Sequence, residues 1–183
     1  MNITLSQGTP QDRQIVENLM VAFFMDLARY DDQMLINAYG LPMFVPPEET
    51  SIESDTAAPV DAARTWEQCR RANWWVRDRC TLYVIRVAGV PAGYAAVLAD
   101  PVYLPDAGVD FELVDFYIVP KYRGQGVGRA AARLVFDNHR GRWVVYELEK
   151  NQPARAFWQQ ILHEYTHGQF ENRQGGVEQR FRN

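Results

Sequence analysis

The sequence predicts a mixed α+β fold on three observations. Residues 81–87 and 92–99 alternate β-branched, aromatic and small side chains on either side of Ala88-Gly89-Val90-Pro91, which reads as an antiparallel hairpin. A strand-like run at 111–119 passes through a glycine-containing loop, 120–128, directly into a helical pattern. From that strand onward the order is β-loop-α-β-α-β, which requires at least one parallel crossover. Composition agrees: 183 residues, 47% hydrophobic and 23% charged, suit one globular domain spanning 1–183. A chain of that size buries a core without disulfide or metal staples.

The elements follow in order. Thr9-Pro10-Gln11-Asp12 opens the first helix: Thr9 caps it, Pro10 suits the first helical position and Asp12 the first turn. Ile15, Val16, Leu19, Met20, Phe23, Phe24 and Leu27 then recur with helical spacing as a core stripe. Residues 39–60, punctuated by Gly40, Pro42, Pro46, Pro47 and Pro59, read as a long loop of the kind that often carries function. Residues 61–73 read as helix. After the hairpin and the third strand, a helix spans 127–138, with Ala130, Ala131, Leu134 and Val135 on one side and Arg129, Arg133 and Asp137 on the other. Gly141 is expected to end it, and His139 sits where a positive charge is favourable at a helix C-terminus. Residues 143–148 form a strand. Pro153 starts a helix whose apolar face is Ala154, Phe157, Trp158, Ile161 and Leu162. Gly168 and Gly175-Gly176 mark a short terminal hairpin.

Several function classes are excluded. No run of 18 apolar residues exists, so no membrane span is expected. The N-terminus lacks the basic and apolar segments of a signal peptide. Cys69 and Cys80 match no metal or redox spacing. Together these predict a reduced, cytoplasmic setting. The net charge of −4 is unevenly divided: residues 1–120 carry 17 acids and 8 bases (−9), residues 121–183 carry 6 acids and 11 bases (+5). One part suits an anion and the other a cation. Between Arg29 and Arg64 there is no Lys or Arg, while Asp31, Asp32, Glu48, Glu49, Glu53, Asp55 and Asp61 occur. A solvated loop is the simpler account of them; a cationic small-molecule acceptor also fits. A sequence pI near 5.4 argues against nucleic acid.

The chemistry concentrates at 115–133, where a strand enters a loop with Gly124, Gly126 and Gly128 that runs straight into a helix N-terminus carrying Arg129 and Arg133. Glycines let backbone approach a ligand, successive N–H groups point inward, and the helix dipole favours negative charge, so the segment is an anion cradle or else a plain tight turn. A Walker loop would need Lys and Ser or Thr after the last glycine, where Arg129-Ala130 stand. A dinucleotide fingerprint would need G-x-G-x-x-G. This run is G-x-G-x-G, although Glu147 lies 19 residues past Gly128, near the usual ribose partner. His163-Glu164-Tyr165-Thr166-His167 fits the H-E-x-x-H zinc pattern. Gly168 follows at once, and both His residues read as helix-end and loop residues, so no metal is expected.

Arg123-x-x-Gly126-x-Gly128 resembles the R/Q-x-x-G-x-G/A signature of the GCN5-related N-acetyltransferase (GNAT) superfamily. The preceding Ile118-Val119-Pro120-Lys121-Tyr122 resembles the family as well, as does Asn151-x-x-Ala154-x-x-Phe157-Trp158, its second motif. The resemblance covers residues 80–163 and does not extend to 39–60. It implies a central, mostly antiparallel sheet with a splayed parallel strand pair, flanked by helices. It also implies acetyl-CoA as cosubstrate, with its pyrophosphate on the backbone of Arg123, Gly124, Gln125, Gly126, Val127 and Gly128 and on the helix start at Arg129. Ile118 and Val119 would offer backbone groups to the pantetheine arm, an amide near them would stabilise the oxyanion, and Asn151 and Phe157 would border the far side.

The implied reaction is attack of a neutral primary amine on a thioester. An alkyl ammonium with a pKa near 10.4 needs a base at pH 7. Glu112, six residues before Ile118, occupies the family's strand-glutamate position; Asp115 would face the other way unless a bulge intervenes. Trp158 stands where many members have a tyrosine that protonates the thiolate, and indole is no such acid; Tyr146 or water is left for that step. A coenzyme A-binding regulator without turnover is the rival reading, and a homodimer is left open.

Overall fold

The computed structural model describes residues 1–32, 34–36, 40, 42–44 and 79–183. Most of the 39–60 loop, the helix expected at 61–73, Cys69 and the acids at 48, 49, 53, 55 and 61 lie outside them. Seven strands form one sheet: β1 (Ile3–Gln7), β4 (Cys80–Val87), β5 (Val90–Leu98), β6 (Phe111–Ile118), β7 (Arg142–Tyr146), β9 (Glu178–Arg182) and β8 (Phe170–Arg173), in that spatial order. All neighbours are antiparallel except β6 and β7. Met34–Ile36 (β2) and Pro42–Phe44 (β3) pair separately. The helices are α1 (Pro10–Leu27), α2 (Val127–Asp137) and α3 (Gln152–Tyr165).

Side-chain alternation assigns the helices to opposite faces of the sheet. Val84, Tyr94 and Tyr117 meet Val16, Met20 and Phe24 of α1 on one face. On the other, Tyr83, Ala95, Val97, Leu113, Trp143 and Val145 pack with Ala132, Val135 and Phe136 of α2 and Trp158, Ile161 and Leu162 of α3. The expected stripe of the first helix is thus core. Its start is a capping box: Asp12 N donates to Thr9 Oγ1 at 3.3 Å and Thr9 N to Asp12 Oδ2 at 3.0 Å. Arg86 of β4 grips the same Asp12 at 2.8 Å, so the cap also fixes α1 to the sheet.

The β4–β5 turn follows from its residues. Ala88 and Gly89 both have positive φ (49° and 82°), the backbone of a primed two-residue hairpin that matches strand twist. The 143–148 strand is shorter and starts earlier than expected, at Arg142–Tyr146, because its antiparallel partner β9 faces only those five residues. Three strand segments escaped sequence reading, among them β2 at Met34–Ile36. β1 is a five-residue edge strand, and β3 lies inside the presumed loop, beginning on Pro42. Gly141 does not cap α2: Asn138 holds the C-cap, three residues earlier. His139 follows the C-cap; burial pushes its pKa down, and its Nε2 sits 2.9 Å from the Tyr83 hydroxyl.

Replacing Thr9 by Ala removes the box, and the expected loss is about 1–2 kcal/mol of unfolding free energy. Urea denaturation should show a lower midpoint with an unchanged slope.

Candidate active site

The site is built on the one parallel pair. β6 and β7 are in register only at Phe111–Trp143, Glu112–Val144 and Leu113–Val145. Their starting end is clamped, since Arg142 donates to the Asp110 carboxylate through N (2.8 Å), Nε (3.0 Å) and Nη2 (2.7 Å). Past Leu113 and Val145 the ladder stops and the strands diverge. A bulge lies at the same level: Leu113 opposes Val97 and Asp115 opposes Ala96, leaving Val114 as the extra residue.

That bulge settles the orientation of Asp115. In a regular strand it would face away from Glu112; with Val114 looped out, both carboxylates share the α1 face. Asp115 is 2% exposed and accepts a hydrogen bond from Tyr94 Oη at 3.2 Å. Burial, helped by the Asp115 charge, pushes Glu112 above the ordinary carboxylate range. Tyr146 lies on this face too; burial first, then Glu178, pushes its phenol up, and Glu112 adds to the shift.

At the other end of β6 the chain enters the glycine loop. Gly124 (φ 71°) and Gly126 (φ 79°) hold left-handed backbone that other residues rarely adopt, and Gly126 is the N-cap of α2. The first α2 bond of this turn, Ala130 N to Gly126 O, leaves the N–H groups of the opening residues directed outward from the helix start. A pocket of about 470 Å³ opens here, lined by Phe23, Asp26, Leu27 and Tyr30 of α1 and the turn after it, by Phe116, Tyr117 and Ile118 of β6, by Arg123, Gly124, Gly126, Gly128 and Arg129, and by Asn151 and Phe157.

The expected binding residues divide accordingly. Ile118, Arg123, Gly124, Gly126, Gly128, Arg129, Asn151 and Phe157 come together around the pocket. Val127 is fully buried in the core and Gln125 turns its amide to Lys121 O at 2.7 Å. The Arg123 N–H is bound to Pro120 O (3.1 Å), so the cradle begins at Gly124 rather than Arg123. The Val119 N–H donates to Ala92 O at 2.8 Å, which removes it as a donor to a ligand. Arg123 does not reach into open space: its Nε donates to Ile118 O (2.7 Å) and its Nη2 to Asp26 (2.5 Å). Asn151 caps α3 through Ala154 N at 3.3 Å while lining the pocket. Glu112 sits at the far end of the gap, where the ladder closes.

Two features were not foreseen. Asp26 and Tyr30 reach the pocket beside core positions Phe23 and Leu27; only the helical period could have pointed to them. Glu147 was considered only as a ribose partner. It follows β7, its N–H donates to Val177 O at 2.8 Å, and its side chain continues the Trp143, Val145 alternation toward α3. There burial pushes its pKa up to about 8, against a smaller opposing effect of the Trp158 indole. The zinc pattern dissolves: α3 ends at Tyr165, His167 lies beyond it with φ 54°, and Glu164 pairs with Arg129 at 3.4 Å and Arg133 at 3.8 Å. Among the described residues no cluster of His, Cys, Asp or Glu could hold a metal ion.

A sheet split beyond a three-pair parallel ladder, with a glycine cradle at a helix start beside the split, defines a class of acyl-transfer fold. The profile of the Acetyltransferase (GNAT) family matches residues 47–163, and the chain belongs to that family. No curated protein matches it. Solved structures share the fold. An acetyltransferase from Thermus thermophilus is 20% identical, over 98% of this chain and 95% of its own, with a TM-score of 0.52. The PaiA N-acetyltransferase from Thermoplasma acidophilum, in complex with coenzyme A, is 13% identical over 100% of both chains, TM-score 0.54. Aminoglycoside acetyltransferase AAC(6')-Ib, in complex with coenzyme A and kanamycin, is 15% identical over 100% of this chain and 95% of its own, TM-score 0.57.

Glu147 carries a stability consequence. Its folded pKa is raised, so between about pH 4.5 and 8 the folded state holds a proton that the unfolded state has lost, and stability falls with rising pH. Glu147→Gln removes this dependence. Relative to the native chain, the variant should gain roughly 1.4 kcal/mol per pH unit across that window and level off above it. Chemical denaturation at pH 5, 7 and 9 measures the difference.

Proposed function

We propose that the chain is an acetyl-CoA-dependent N-acetyltransferase that transfers the acetyl group to a primary amine by direct attack in a ternary complex. The observation that carries this reading is the glycine cradle at the start of α2 beside the β6–β7 gap, whose closed end carries the part-buried Glu112 and the buried Asp115. The cradle suits a pyrophosphate through the N–H groups of Gly124 to Arg129 and the α2 dipole. The unpaired edges of β6 and β7 suit an extended amide-bearing arm, which hydrogen-bonds as a strand does. The coenzyme A in the two family structures named above supports this use of the fold, and the kanamycin in one supports an amine acceptor.

Acetyl-CoA supplies an activated acyl group as a thioester; the chain supplies position and proton transfer. Glu112 is the proposed base. Its raised pKa keeps it a better proton acceptor than an ordinary carboxylate while leaving it below the pKa of an alkyl ammonium. Asp115, held by Tyr94, adds negative charge on the same side and favours a cationic acceptor in its approach. The reading is of a one-domain, cytoplasmic protein. Among the described residues no helix is long and apolar enough to cross a membrane.

Two variants test the reading. Gly126→Glu puts a side chain on left-handed backbone and a carboxylate at the helix start. Acetyl-CoA binding by calorimetry should vanish in a protein that still unfolds cooperatively, and undiminished affinity would remove the cradle as the cofactor site. Glu112→Gln should lower kcat by roughly 10²–10⁴-fold in a thiol-release assay with primary amines, with acetyl-CoA affinity little changed. The native rate should fall as pH drops through the pKa of Glu112, and the variant should lose that acidic limb. A variant that keeps both its binding and the native rate would point to another base.

A further inference from the structure

The sheet ends on a strand with a neighbour on one side only. Among the described residues β8 pairs with β9 and with nothing beyond it. The bonds of β9 decide which backbone groups of β8 face outward. Glu147 N donates to Val177 O at 2.8 Å and Asn183 N to Gly141 O at 3.2 Å, one bond just beyond each end of the β7–β9 ladder, which runs without a register shift. Antiparallel strands alternate between bonded and non-bonded pairs, so Gln179 and Phe181 also bond toward β7. Glu178 and Arg180 then bond toward β8, and their partners Arg173 and Glu171 bond inward to them. Phe170 and Asn172 turn their N–H and C=O groups away from the sheet, as an open edge that a further strand can continue.

The side chains decide which strand fits. Glu171 and Arg173 share the α1 face, where Arg173 Nη2 meets Glu171 Oε2 at 2.5 Å and Arg173 Nη1 meets Glu178 Oε1 at 3.5 Å. The Glu171 and Arg173 side chains are 65% and 47% exposed, so within one chain their pairing adds little to stability. A second β8 can lie antiparallel to the first about a two-fold axis through Asn172, perpendicular to the sheet. Asn172 then exchanges both backbone bonds with its counterpart. Glu171 of each copy falls opposite Arg173 of the other, at non-bonded positions, where facing Cα atoms are about 4.5 Å apart and side chains are closest. All four charges then face opposite signs. Pairing centred on Glu171 or Arg173, or in parallel register, sets like charges side by side instead. On the α3 face a shallow groove of about 520 Å³ lies between Phe170 and Asn172 and the α3 residues Gln159, Gln160 and His163, which leaves room for the Asn172 side chain of an added strand.

We propose that β8 is the interface of a homodimer, in which two copies pair antiparallel through Asn172 and fix their register by two Glu171–Arg173 ion pairs. The two seven-stranded sheets then form one continuous sheet. The contact is isologous, the same patch serving both copies, which is what a closed two-fold assembly requires. Backbone bonds and the covered edge hold the copies together, and the charges select the register and reject others.

Sedimentation velocity of the full chain over a concentration series tests this. The native chain should approach twice its 21.1 kDa as concentration rises, and should dissociate more readily as salt is added. Asn172→Pro removes an N–H that makes no bond to β9, so the fold is retained while both central bonds between copies are lost. That variant should stay monomeric. Glu171→Arg sets Arg opposite Arg, and Arg173→Glu sets Glu opposite Glu; each alone should be monomeric too. In the second, Glu178 keeps Arg180 as its partner at 2.5 Å. Mixed in equal amounts, these two charge variants should associate with each other, because every charge again faces its opposite. Cooperative thermal unfolding identifies the variants that keep their fold, and if Asn172→Pro does not, the exposed Glu171→Arg decides. A native chain that is monomeric throughout the series would overturn the proposal and leave the edge to a partner other than a second copy. A native dimer that persists in folded Asn172→Pro or Glu171→Arg would overturn it by placing the contact on another face. Folded charge variants that fail to associate when mixed would overturn the Glu171–Arg173 register.

Discussion

Everything about the site depends on how little of β6 pairs with β7. Three residue pairs hold the strands together, and the Asp110–Arg142 clamp fixes the end at which they hold. Beyond Leu113 and Val145 each strand turns toward the other backbone donors and acceptors that have no ladder partner. Backbone groups at a sheet edge demand a partner. The gap is therefore a binding site for something extended and rich in amides, before any side chain is considered. The rest of the sheet is continuous and provides rigidity to two edges that would otherwise close.

The bulge at Val114 acts with this split. Because strand side chains alternate with period two, one extra residue reverses the facing of everything beyond it. Asp115 and Tyr117 thereby join Glu112 on the α1 face, and Phe116 and Ile118 turn to the α2–α3 face. The result is a polar, acidic side beneath α1 and an aromatic side containing Phe116, Phe157 and Trp158, with the gap between. Partial burial on both sides raises the proton affinity of Glu112 and Glu147 alike, for the same reason: an ionised carboxyl loses part of its hydration there. Their different neighbours, a second carboxylate for Glu112 and an indole N–H for Glu147, then distinguish them.

The anion cradle obeys a separate logic. Gly124 and Gly126 are in left-handed conformation so that the chain can turn from β6 into α2 within a few residues. The same turn aims the helix start at the mouth of the gap. Arg123, the most recognisable residue of the signature, contributes by bracing: it ties Ile118 O to Asp26 and so joins the β6 end to α1. Its charge neutralises Asp26, which would otherwise face the site for an anion.

The sequence by itself determined the elements and the cradle, because hydrophobic period, turn residues and glycine spacing are local properties. The hairpin at Ala88-Gly89, the α1 cap at Thr9 and Asp12, and the strand–glycine loop–helix at 111–137 are all written in neighbouring residues. The edge strand β1 was not legible, since five residues without a distinctive pattern become a strand only when β4 offers them a ladder. Whether Asp115 faces Glu112 also could not be read, because a bulge is decided by the pairing of two strands and leaves no mark on one. Glu147 is the clearest case. In sequence it is an acid at the end of a strand, and nothing local distinguishes it from Glu149. Only the tertiary packing, which part-buries it near Trp158, pushes its pKa up to about 8.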